Sequence, residues 1–229
     1  MRSTGISYYH LSFQPAVRVT LRPLGIIRVA DEVEAPRRAI RVLQQGGLVA
    51  YPTDTVYGLG CDSTNAAAVR RIFEIKRRPL DDPLPILIAD MTQLRELVET
   101  IPAVAVLLMQ RFWPGALTLI FRRGRRAPPA VSGGRETVAV RLPNHPIPRS
   151  LIRGSGRPIV GTSANIHGEP SPATAQQVIF GLGDRVDLIL DGGRTPLSRE
   201  STVVDLTQDP PRVVREGAIP RGQVEEALR

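Results

Sequence analysis

Apolar positions in this chain fall in short bursts broken by glycine, proline and charged residues. The bursts at residues 26–29, 48–51, 85–89 and 158–161 are continuous enough to read as buried strands. Residues 117–121, 137–141, 188–190, 203–206 and 212–215 are further strand candidates. Between the strands the apolar positions take helical spacing. Residues 33–45 carry Ala39, Ile40, Val42 and Leu43 on one side, with Asp31 as N-cap and Gly46-Gly47 as the stop. Residues 65–76, 92–99, 104–112, 146–152 and 174–180 are the other expected helices. The intervening residues 122–134, rich in Arg, Gly and Pro, read as an exposed loop. Strands interleaved with helices predict an α/β or α+β layer architecture, a twisted mixed sheet flanked by helices. No segment repeats, and no change of composition marks a second domain. Residues 1–24 lack periodicity and read as a peripheral extension, leaving residues 25–229 as the expected domain.

Composition narrows the class. The chain has 229 residues, of which 42% are hydrophobic and 23% charged, as in globular proteins. The longest apolar run, residues 101–109, has nine residues and a proline in second place, against the roughly 20 that a membrane helix needs. The N-terminus lacks a secretory pattern, and the single cysteine, Cys61, excludes an internal disulfide framework and a multi-cysteine zinc site. These features predict a cytoplasmic protein without a membrane partner.

Charge adds a sharper clue. The formal net charge is +8, which suits a polyanionic partner such as ATP or RNA. Of the 30 basic residues, 29 are arginine and one, Lys76, is lysine. A GC-rich genome accounts for the arginines. The position that keeps lysine then points to a place where a compact three-donor ammonium fits and a planar guanidinium does not, against a phosphate or a carboxylate.

Four constellations carry candidate chemistry. Residues 51–60, Tyr-Pro-Thr-Asp-Thr-Val-Tyr-Gly-Leu-Gly, follow an expected strand and precede a helix, where α/β proteins place ligands. They fit an ordinary turn equally well, and they are neither a Walker A loop nor a dinucleotide fingerprint. Lys76-Arg77-Arg78 ends a helix, as a phosphate clamp or as cations complementing the helix dipole. Ser163 and Asn165 stand at alternate positions after a strand, so that an extended backbone turns both toward one ligand. In residues 137–141, alternation puts Thr137, Ala139 and Arg141 on one sheet face, which is odd for a buried face unless an anion meets the arginine. Residues 201–205, Ser-Thr-Val-Val-Asp, followed by Arg215, make a similar piece. His10, His145 and His167 lack metal-ligand spacing, and Cys61 has no histidine near it in sequence. Cations, hydroxyls and backbone suit a reaction run by positioning and charge neutralisation, such as phosphoryl or nucleotidyl transfer.

Taken together, these pieces resemble the YrdC-like family of threonylcarbamoyl-AMP synthases. The family's Lys-x-Arg and downstream Ser-x-Asn stand here as Lys76-x-Arg78 and Ser163-x-Asn165. The segments at 51–59, 112–115, 137–141 and 201–205 match in order, and the likeness runs over residues 26–220. The resemblance implies a twisted mixed sheet around a basic concave groove, and a nucleotidyltransferase in the short, single-domain form. Its reaction joins L-threonine, bicarbonate and ATP into L-threonylcarbamoyl-adenylate and pyrophosphate, for modification of adenosine 37 in tRNA. By resemblance, Thr55, Arg141, Gly161 and Ser201 hold L-threonine, while Lys76, Arg78, Thr137, Ser163, Asn165, Ser171 and Arg215 hold ATP and its phosphates. Lys76 and Arg78 would take the catalytic role. Mg²⁺ is implied with ATP, and tRNA threonylcarbamoyl-transferase proteins are implied as downstream partners. Two positions depart from the family pattern: Asp82 stands where many relatives carry Asn, and Leu87 where some carry His. The alternatives are a double-stranded RNA or tRNA-binding module and a YrdC-like paralogue with another role. The first gains from the net charge but gives no role to the hydroxyl-bearing motifs, and aromatics at 4% are few for base stacking.

Overall fold

The computed structural model describes residues 25–28 and 34–229. The expected extension at residues 1–24 and the Asp31 cap lie outside the described residues. In chain order the elements are β1 (Gly25–Arg28), α1 (Ala35–Gln44), β2 (Val49–Tyr51), β3 (Gly58–Gly60), α2 (Ala66–Lys76), β4 (Ile86–Leu87), α3 (Met91–Leu97), α4 (Ala103–Phe112), β5 (Leu117–Arg122), β6 (Thr137–Arg141), α5 (Pro146–Ser155), β7 (Ile159–Val160), β8 (Thr162–Ser163), α6 (Ala175–Gly181), β9 (Leu188–Asp191), β10 (Thr202–Asp205), β11 (Arg212–Arg215) and α7 (Arg221–Ala227).

The strands form two mixed sheets rather than one. The first has the order β1-β9-β2-β3-β8 and the second β11-β10-β5-β6-β4-β7. In the first, β1, β9 and β2 run parallel, while β3 pairs antiparallel with β2 and with β8. In the second, β5 lies between parallel β10 and antiparallel β6, and β4 between parallel β6 and antiparallel β7. The chain passes from the second sheet to the first between β7 and β8, across the single residue Gly161. A Cβ built on Gly161 would stand 2.2 Å from Leu87 Cγ, so only glycine lets the crossover lie this close to β4.

Two apolar clusters fill the layers. The larger packs α2, α3 and α4 on the sheets through residues such as Ile72, Phe73, Leu94, Leu108, Leu119 and Val140. The smaller joins Ala39 and Leu43 of α1 to Leu151 and Ile152 of α5 and to Leu190. The helix starts are chemically explicit. Asn65 caps α2 by accepting from Ala68 N, and Asp90 caps α3 by accepting from Thr92 N and Gln93 N.

Some expectations need correction. Residues 51–60 do not lead straight into a helix: they fold back as the β2–β3 hairpin, and α2 begins only at Ala66. Gly58 and Gly60 permit this because the Tyr51 ring lies against both α-carbons, within 3.0 Å of where either Cβ would stand. Residues 122–134 are not simply an exposed loop, since Ala127 and Val131 are buried in the larger cluster and Arg122 completes β5. Helix α7, which the expected elements do not include, is tied to α4 by an Arg111–Glu226 ion pair at 3.0 Å.

Candidate active site

One cavity of about 430 Å³ opens at the seam where the two sheets part. Its wall takes Thr55 from the β2–β3 connection and Lys76 and Arg78 from the end of α2. Arg141 comes from the end of β6, Gly161 and Ser163 from the crossover, Asn165 from just beyond it, and Ser201 and Arg215 from the edges of β10 and β11. Nine of the eleven residues singled out in sequence therefore meet in one place. Thr137 does not: it pairs with Arg122 at the opposite end of β6 from Arg141. Ser171 stands one contact back, its hydroxyl donating to Glu200, which lines the cavity.

Lys76 explains why a lysine stands there. It is 1% exposed, and its ammonium donates to Ser163 O at 2.6 Å, Asn165 O at 2.7 Å and Asn165 Oδ1 at 3.3 Å. A point charge with three donors fits between these oxygens, whereas a planar fork does not converge on them. The two separated motifs are thus bonded directly to each other, and Lys76 grips protein oxygens while it lines the cavity. Burial, together with the neighbouring Arg78, pushes its pKa down to about 7, against the opposing pull of Glu200 and Asp82. Arg77 ends α2 in the left-handed region at φ 53°, turning the chain so that Lys76 and Arg78 both reach the cavity.

The three arginines of the wall already carry carboxylates. Arg78 pairs with Asp82 at 2.9 Å and donates to the carbonyls of Asp82 and Pro83. Arg215 pairs with Glu200 at 2.6 Å and holds Ser201 through its carbonyl and hydroxyl. Arg141, at the buried end, donates to Asp54 at 2.6 Å, Thr55 Oγ1 at 2.9 Å and Gly115 O at 2.9 Å. The anion that the sequence demanded beside Arg141 is therefore internal. Burial lowers the pKa of Arg141, and the carboxylate of Asp54 opposes that shift most strongly. Leu87 replaces polarity with an apolar wall: it is 2% exposed and rests on Gly161.

Several residues of the wall were not read from the sequence as site residues, among them Thr118, Glu200 and His167. Thr118 was detectable as a buried hydroxyl inside an apolar strand, where it bonds Ser201 Oγ at 2.8 Å. His167 has its Nδ1 3.9 Å from Asp82 Oδ2, a proximity that no spacing rule foretells. Among the described residues no group of three or more His, Cys, Asp or Glu is placed to hold a metal ion, and no helix is long and apolar enough to cross a membrane.

Comparison with known proteins gives a consistent picture. The family model Sua5–YciO–YrdC, described as telomere recombination, matches residues 41–217. A threonylcarbamoyl-AMP synthase of Pyrococcus abyssi is 45% identical over 205 residues, covering 89% of this chain and 60% of the relative. One from Bacillus subtilis is 46% identical over 192 residues, covering 83% of this chain and 56% of the relative. The crystal structure of P. abyssi Sua5 complexed with L-threonine superposes with a TM-score of 0.85 at 44% identity, over 90% of this chain and 60% of that one. The chain thus spans less than two thirds of the length of these three relatives.

Proposed function

The chain belongs to the Sua5–YciO–YrdC family, and from that premise we propose that it is a threonylcarbamoyl-AMP synthase, a nucleotidyltransferase acting on L-threonine, bicarbonate and ATP. The observation that carries this reading is the single cavity that brings Lys76-x-Arg78 and Ser163-x-Asn165 into direct contact, beside Arg141, Thr55 and Ser201. In this reading the amine of L-threonine takes up bicarbonate to give a carbamate and water. A carbamate oxygen then attacks the α-phosphorus of ATP, and pyrophosphate leaves. Mg²⁺ arrives with ATP as part of the substrate, held largely by phosphate and water.

The residues have separable tasks. Arg141 lies at the buried end with N–H groups to spare for a carboxylate, the two-pronged contact that a guanidinium favours. Lys76 holds the Ser163–Asn165 backbone rigid and keeps a positive charge close to the phosphates, where charge builds on the leaving group. Arg78 and Arg215 lie toward solvent, and each carries a carboxylate that an incoming phosphate can replace. The active enzyme serves tRNA modification at adenosine 37, with the threonylcarbamoyl group passed on by a separate transferase.

The test is pyrophosphate release in the presence of ATP, Mg²⁺ and bicarbonate with each of the twenty amino acids in turn. Release is expected only with L-threonine, only with bicarbonate, and not from folded Lys76→Ala or Arg78→Ala protein. Release that ignores the amino acid or bicarbonate, or that survives either substitution, overturns the reading.

A further inference from the structure

Two residues behind the cavity wall, Thr53 and Asp54, are buried, at 3% and 7% exposure, and do not line the cavity. Both bond to residues that do. The Thr53 hydroxyl lies 2.7 Å from Val56 O and 2.9 Å from Thr55 Oγ1, and it accepts from Thr55 N at 3.0 Å. A threonine has one hydroxyl proton, so the direction of these bonds can be worked out.

Among the described residues no backbone N–H donates to Val56 O. If the Thr53 proton pointed at Thr55, two oxygens 2.7 Å apart would face each other without a hydrogen between them. The proton of Thr53 therefore goes to Val56 O, and the proton of Thr55 goes to Thr53. Thr55 Oγ1 also accepts from Arg141 Nη1 at 2.9 Å. Its proton is then spent and one lone pair remains, on a side chain that lines the cavity. Arg141 spends its Nε–H on Gly115 O, one Nη1–H on Thr55 and one Nη2–H on Asp54. One N–H is left on each terminal nitrogen, free to donate to a carboxylate.

We infer that Thr53 and Asp54 are positioning residues that set the polarity of the amino-acid subsite. Thr53 takes up the proton of Thr55, so that Thr55 meets the ligand as an acceptor. Asp54 holds the Arg141 fork, so that Arg141 meets it as a donor pair. The two ends of an α-amino acid are thereby sorted: carboxylate on Arg141, and an N–H or O–H donor on Thr55. This rests on the reading of the cavity as an amino-acid site, and it adds the direction in which each hydrogen bond must run.

The test is calorimetric binding of L-threonine to the whole chain, with ATP titrated separately as the control. Thr53→Val removes the acceptor at nearly constant volume and is expected to weaken L-threonine about tenfold, the scale of one hydrogen bond lost from a buried polar site. Thr53→Ser, which keeps the hydroxyl, is expected to restore binding, and ATP binding is expected to move less than about twofold in either variant. L-2-aminobutyrate lacks the side-chain hydroxyl and 3-hydroxybutyrate lacks the amine. The unaltered protein is expected to bind one of them more weakly than L-threonine through loss of the Thr55 contact, and Thr53→Val is expected to erase that difference. Unchanged affinity and unchanged analogue ratios in Thr53→Val overturn the inference. A neutron structure of the unaltered protein reads the same point without substitution: deuterium on Thr55 Oγ1 directed at Thr53 supports it, and deuterium on Thr53 directed at Thr55, or on Thr55 aimed into the cavity, overturns it. The two readings fail separately. A protein that binds L-threonine with this pattern but releases no pyrophosphate refutes the synthase alone, and one that turns over while Thr53→Val binds normally refutes the inference alone. A protein that binds no amino acid refutes both.

Discussion

Arg141–Asp54 and Arg78–Asp82 are the same chemical pair in two settings. The first, at 2.6 Å, has side chains 8% and 9% exposed, whereas the second, at 2.9 Å, has them 16% and 38% exposed. Inside, neither charge has water to fall back on, so each depends on the other and the geometry is fixed. At the rim, water and incoming anions compete for the arginine, and the bond exchanges at little cost. A site that must hold one group still while passing a larger anion in and out needs both kinds. Depth of burial separates them, since the residue types are identical.

The comparison breaks most visibly if the inner pair is cut. Asp54→Ala leaves a buried guanidinium without its counter-charge and is expected to cost about 3–5 kcal/mol in stability. Asp82→Ala at the rim is expected to cost less than about 1 kcal/mol, and urea unfolding of the two proteins side by side measures the contrast. Next in size is the response to pH. Lys76 has a folded pKa near 7 against an ordinary value of 10.5. Between those values the unfolded chain holds a proton that the folded chain has shed. This lysine's contribution to stability therefore rises with pH across that window and is flat below it. Lys76→Met is expected to remove that slope in denaturation curves taken at successive pH values. Ligand binding runs the other way: above about pH 7 the ammonium discharges and loses one of its three donors, so the KM for ATP is expected to climb. Asp82→Asn probes the rim alone. Freed of its carboxylate, Arg78 is expected to bind ATP about threefold more tightly, an effect that fades as salt rises. The smallest change is expected far from the cavity, where Glu226→Ala cuts the exposed Arg111–Glu226 pair and shifts stability by about 0.5 kcal/mol or less.

The sequence showed some of this and concealed the rest for identifiable reasons. The solitary Lys76, the paired motifs and the hydroxyl-bearing strands were legible because each needs a particular side chain at a particular offset. The α/β alternation was legible from periodicity. The division into two sheets was not, because β4, β7 and β8 are two residues long and their apolar bursts look like pieces of one layer. The β2–β3 hairpin was not legible because glycines in such a segment look like turn formers, while their structural task here is to leave room for the Tyr51 ring. Internal neutralisation was also hidden. Asp54 and Glu200 each stand beside a residue already singled out, but which arginine they face is decided 87 residues away for Asp54 and in another strand for Glu200. Thr137 was grouped with Arg141 by alternation, which assigns a face but not a position along it. The length of β6 keeps the two apart.

Gly161 has one more consequence. It is the single residue joining β7 of one sheet to β8 of the other, and it also forms part of the cavity wall. The space for a guest is thus the gape of a two-leaved book, with the spine running through the floor. Gly161 itself cannot swing aside to enlarge it without dragging β7 or β8 out of register. On this side, room is gained or lost by trimming the side chains that project from either leaf, so descendants of this architecture can retune what they hold by single substitutions while the binding itself stays intact.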